Sequence, residues 1–179
     1  MQTHNQLNSQ RLAFVLLIAA FAILHLSLEM LTGGVRTHYP LMREDMPALS
    51  NWWGLLILPL FGWIAHYFAT KENSGAGILG LNKVVFYRLA CGFSYGALIA
   101  AGFELGLGQM PLYLLLGLLL GGIVYPLYRG ELMLGLVMGM TYTFGAVIPT
   151  VLTGLLAMVS LITHNTGRFV VARLRPVRP

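Results

Sequence analysis

The chain has 179 residues, of which 57% are hydrophobic and 9% charged, with a net charge of +5 and a mean hydropathy of +0.74. Eleven bases and six acids cannot clothe a water-soluble domain, where about 25% of residues are charged, so a soluble globule, a disordered chain, collagen and a coiled coil are excluded. What remains is one integral membrane domain over 1–179, with a polar N-terminal tail at 1–10 and a basic C-terminal tail at 165–179.

Leu12–Leu31 is the first apolar run, 20 residues or about 30 Å as a helix, which matches a hydrocarbon core. Arg11 and Ala20-Phe21-Ala22 imitate a cleavable signal, but the apolar stretch continues past that site and reads as a retained span. Within this run His25 and Glu29 stand four residues apart, on one helix face. His25 lies about 10 Å below the boundary, a depth at which an ionisable group faces protein or water and is a functional candidate. Gly33-Gly34 breaks the helix, and Arg36, His38, Arg43, Glu44 and Asp45 follow in a loop punctuated by Pro40 and Pro47.

Trp52–Ala69, Val84–Phe103 and Met110–Leu127 are the next spans, joined by Asn73-Ser74-Gly75 and by Gly106 and Gly108. Trp52 and Trp53 suit an interface, and Pro111 suits a first helical turn. His66 is expected to pack beside Trp63 near the interface, and Arg88 to snorkel inward, toward the cytoplasmic face. Leu132–Thr163 carries no charge over 32 residues, about 48 Å as one helix, too long for a single crossing at ordinary tilt. Phe144–Pro149 offers a break. Thr141, Tyr142, Thr143, Thr150 and Thr153 make a polar patch around it, whose hydroxyls either bond freed carbonyls or line a path.

A break returns the tail to the starting side and places Arg11, Lys71, Lys83, Arg88, Arg129, Arg168, Arg173, Arg175 and Arg178 together, against Arg36 and Arg43 opposite. The positive-inside rule then favours an all-α polytopic transmembrane bundle of six helices, the alternative being four spans plus a broken or re-entrant hairpin at 132–163. Both termini are expected to be cytoplasmic, in a bacterial inner membrane. Gly92–Gly96, Gly117–Gly121 and Gly135–Gly139 are GxxxG pairs that allow close helix approach, within the chain or in a homo-oligomer. The bases sit at membrane edges without interleaved aromatics, so membrane lipids and not nucleic acid are the expected partners.

The chemistry concentrates in 25–51. His25, Glu29, His38 and Asp45 are the catalytic candidates, and Arg36, Arg43 and Glu104 the substrate-binding ones. His25, Glu29 and His38 are also the candidate ligands for a divalent metal such as zinc, imidazole and carboxylate being suitable donors. A purely structural role is the competing reading, with Glu29 neutralised by Arg36 or His25. No nucleotide-binding or nucleophile-elbow motif is present, and the single Cys91 allows neither an intrachain disulfide nor a CxxC pair. The stretch Leu24-His25-Leu26-Ser27-Leu28-Glu29 resembles the H-x-x-x-E of the first helix in the emopamil-binding sterol isomerase family. The likeness covers those residues only. As a mechanistic analogy it implies proton movement on a lipid double bond.

The expected function is a membrane-embedded enzyme acting on a lipid or other apolar substrate through a His/Glu pocket near the outer face. The alternatives are a small multi-pass transporter or channel, and a non-catalytic assembly subunit.

Overall fold

A computed structural model describes residues 4–39, 43, 45, 47–72 and 77–174, with side chains described over 5–39, 43, 45, 47–72 and 77–166. Of the residues singled out above, Pro40, Glu44, Asn73, Ser74, Gly75, Arg175 and Arg178 lie outside the described residues. The fold is all-α: α1 His4–Leu31, α2 Gly54–Glu72, α3 Lys83–Glu104, α4 Met110–Val124, α5 Gly130–Phe144 and α6 Val147–Leu174. A small antiparallel ladder, β1 Thr37–His38 on β2 Leu49–Ser50, folds the first loop back on itself and leads through a 3₁₀ turn at Asn51–Trp53 into α2. Helix α1 begins at His4, so the polar segment at 1–10 is largely helical, and α6 carries the helix through to Leu174.

The uncharged 132–163 region is two helices. α5 ends at Gly145, whose φ of +68° is left-handed and favours glycine. α6 starts two residues later, with Pro149 in its first turn, where a missing N–H removes no helical bond. Among the described residues, four helices are long and apolar enough to cross a membrane: α1, α2 with its 3₁₀ turn, α3 and α6. The 15-residue helices α4 and α5 are shorter, about 22 Å each.

α5 can be short because it is enclosed. Ten of its 15 residues are buried, against α2, α3 and α6. Its closest neighbour is α3, and the glycines explain why. A Cβ on Gly92 or Gly96 would collide with the Leu132 or Leu136 carbonyl, and one on Gly135 or Gly139 with the Leu89 or Phe93 carbonyl. The two GxxxG pairs thus face each other, backbone on backbone. The Gly117–Gly121 pair differs: a Cβ at Gly117 would meet only the Tyr95 hydroxyl at 3.3 Å, and Gly121 faces open space. α4 is held by the Tyr95 hydroxyl donating to the Leu114 carbonyl and by Ser160 donating to the Gly122 carbonyl.

The bundle has two unlike ends. The end bearing the start of α1 and the close of α2 is fastened by ion pairs, Arg88 to Glu131 at 3.0 Å and Arg129 to Glu72 at 2.8 Å. Arg88 therefore has a buried carboxylate partner instead of merely snorkelling. The Arg11 guanidinium there lies 5.2 Å from the rings of both Trp63 and Tyr67. His66 is enclosed at this same end, its Nε2 against the Leu79 carbonyl at 2.9 Å and its ring 5.4 Å from Phe14. Between the two ends the core is apolar, with Ile18, Ala22, Leu58, Leu134 and Val137 in one cluster. The opposite end holds the first loop, the α5–α6 break and most of the predicted site.

Candidate functional site

Glu29 and His25 are buried on the last turns of α1, at 3% and 7% exposure. The helix stops just beyond them: the Gly34 N–H bonds back to the Glu29 carbonyl at 3.0 Å, and Gly33 and Gly34 have φ of +129° and +106°, accessible to glycine. The turn brings the Arg36 backbone N–H to Glu29 Oε2 at 3.4 Å, while Asn51 Nδ2 donates to Oε1 at 2.5 Å. Both carboxylate oxygens are accepting. His25 Nε2 faces the same Oε1 at 3.9 Å.

Asn51 has no role in the sequence reading, because an Asn ahead of two tryptophans looks like ordinary loop punctuation. It is 4% exposed, its own N–H donates to the Arg36 carbonyl at 3.1 Å, and its side chain is pressed on Gly145. A side chain at 145 would occupy the space taken by Asn51 and approach the His38 ring. The glycine therefore serves both the helix break and the site.

His38, on β1, has its Nε2 buried without a hydrogen bond among the described residues. Burial pushes its imidazole below the ordinary value of 6.5, Glu29 opposing and Arg36 reinforcing the shift. It stays neutral where an unfolded chain's histidine begins to charge, so the loop's docking weakens as pH falls below about 6.5. Arg36 crosses the mouth of the site. Its guanidinium lies 3.8 Å from Glu104 on α3 and 5.4 Å from the Tyr142 ring on α5, and Tyr142 meets the His25 ring edge-on at 6.2 Å.

Below this mouth is a cavity of about 510 Å³, walled by α1 and α3 and floored by α5. His25, Glu104, Tyr142 and Thr143 are its polar lining; the rest is apolar, including Phe21, Leu24, Phe93 and Met138. Leu24, Leu28 and Phe93 are also exposed on the outside of the bundle, so the cavity is a lateral groove between two helices.

Two predicted residues stay apart from it. Arg43 and Asp45 bond each other at 2.6 Å in an exposed part of the loop, and that bond draws the Asp45 carboxyl below its ordinary value. Neither lines the groove. Among the described residues no three His, Cys, Asp or Glu side chains assemble as a metal-holding group. Of the candidate ligands His25, Glu29 and His38, Glu29 accepts hydrogen bonds at both oxygens, from Asn51 and the Arg36 N–H.

No family model, curated protein or solved structure matches this chain. The geometry alone therefore carries the functional argument. In it the His25 imidazole lines an apolar groove while its unbonded Nε2 lies 3.9 Å from the buried Glu29 carboxylate. A carboxylate close to an imidazole stabilises its protonated form, and the ring can exchange a proton with a bound molecule.

Proposed function

We propose that this integral membrane protein is an enzyme acting by proton transfer on a lipid or other apolar substrate lying in the α1–α3 groove. The observation that carries the reading is His25, which lines the groove and has Glu29 behind it. His25 is the proton donor or acceptor. Glu29 stabilises its protonated form, Asn51 holds Glu29, and His38 with the Arg36–Glu104 pair closes the polar end. Water is scarce in such a groove, which strengthens each of these interactions.

A transporter needs a polar path from this site toward His66, and the apolar cluster of Ile18, Leu58, Leu134 and Val137 supplies none. A scaffold has no use for a groove headed by unbonded polar atoms. The distribution of Arg11, Lys71, Lys83, Arg88 and Arg129 at the termini end favours cytoplasmic termini in a bacterial inner membrane. A C-terminal reporter active only outside the cytoplasm should therefore stay silent, and a signal from it would reverse the orientation.

The catalytic reading is tested by comparing the lipids of cells making the wild-type chain with those of cells making Glu29→Gln or His25→Ala, after thermal melts show that both variants fold. A lipid conversion that depends on the wild type should fall about 100-fold or more in each variant, the usual scale of a lost general acid–base. Conversion at wild-type rates in both would end the proposal.

A further inference from the structure

We infer, resting on the acid–base reading above, that the groove takes a single-chain amphiphile with an uncharged polar head, a hydroxyl or carbonyl, bound between Thr143 and His25. Thr143 supplies the first argument. It is 6% exposed, lines the groove, and its Oγ1 makes no hydrogen bond among the described residues. Its neighbours behave otherwise: Thr141, Thr150 and Thr153 each donate to the carbonyl four residues back, at 2.7, 2.7 and 2.8 Å. Thr143 alone of the four makes no such bond, and it lines the groove together with His25, whose Nε2 is equally unbonded. Buried polar atoms without partners are costly and rare, and a hydroxyl or carbonyl oxygen of a ligand answers both.

Charge supplies the second argument. The cation at the mouth, Arg36, is already engaged by Glu104 and Tyr142. An anionic head would meet Glu104 and Glu29, and among the described residues no Lys or Arg lines the groove. A cationic head would leave Thr143 without a suitable partner for its proton and would place a charge in an apolar groove. The size accommodates a single chain. About 510 Å³ holds roughly 17 groups of water or methylene size at ~30 Å³ each, enough for one hydrocarbon chain. That chain lies against Phe21, Leu24, Phe93, Ala97 and Met138.

The probe is hexadecanol carrying a mid-chain diazirine, irradiated with the full chain in phosphatidylcholine nanodiscs and mapped by peptide mass spectrometry. Labels should fall on the groove-facing stretches of α1, α3 and α5. Hexadecanol should displace the probe about tenfold more effectively than hexadecanoate or hexadecyltrimethylammonium. Thr143→Val should weaken displacement by hexadecanol roughly fivefold, one neutral hydrogen bond, while labelling by a diazirine hexadecane stays unchanged. Ala97→Phe should block both probes. Labels outside the groove, equal displacement by a charged competitor, or an unaltered preference in Thr143→Val would each overturn the inference. Selective binding of the alcohol without turnover of any alcohol removes the catalytic reading and leaves this one. Turnover of a charged-head substrate does the reverse.

Discussion

Asn51 reaches Glu29 through Nδ2, the Arg36 carbonyl through its backbone N–H, and Gly145 by contact. One residue thereby joins the end of α1, the first loop and the α5–α6 break. A hydrogen bond to a charged partner contributes about 1.5–3 kcal/mol, which in a chain of this size corresponds to roughly 3–12 °C in melting temperature. Asn51→Ala should lower the melting midpoint in detergent by several degrees, and Asn51→Asp, which sets a second carboxylate on the first, by more. A midpoint unchanged in both would show that Glu29 does not depend on this donor. The His25–Glu29 pair was legible in the sequence, because two ionisable residues at helical spacing inside an apolar run have few innocent explanations. Asn51 was not, since it lies 22 residues from Glu29 and its type is common in loops. Thr143 was visible only as one of several threonines. Nothing in a sequence says which hydroxyl bonds its own helix and which turns away.

Helix α5 depends on glycine to sit where it does. In lipid no hydrophobic force draws two helices together, so close packing has to supply the attraction. Gly92 and Gly96 on α3 and Gly135 and Gly139 on α5 give that packing by bringing carbonyls where side chains would otherwise stand. Gly135→Ala forces the Leu89 carbonyl away and should destabilise the protein by about 1–3 kcal/mol or more, as overpacking does. Gly121→Ala meets nothing within 4 Å and should be neutral or slightly stabilising. Equal melting curves for the two variants would contradict this account of the α3–α5 seam. The spacing of these glycines was plain in the sequence, but not their partners, because GxxxG names a face without naming what covers it. The break in the long uncharged region was legible from Gly145 and Pro149 together with the excess length. The position of α5 inside the bundle was not, since a short apolar helix reads alike whether enclosed or lipid-facing.

At the scale of the whole molecule, the two ends are built differently. One is fastened by ion pairs around Glu131 and Glu72. The other gathers His25, Glu29, His38, Arg36 and Glu104 around the head of a lateral groove, with an apolar core between the ends. In the proposed role a bilayer supplies apolar molecules from the side, and the groove between α1 and α3 would admit them without their crossing the membrane. The central claim is that the His25 ring is at once coupled to Glu29 and exposed to whatever occupies that groove. The direct measurement is nitrogen NMR of ¹⁵N-histidine-labelled protein in nanodiscs, with the His25 signal assigned by its loss in His25→Ala. The account predicts that this signal moves in Glu29→Gln and moves again when hexadecanol is added to the wild type. A His25 signal indifferent to both changes would contradict it.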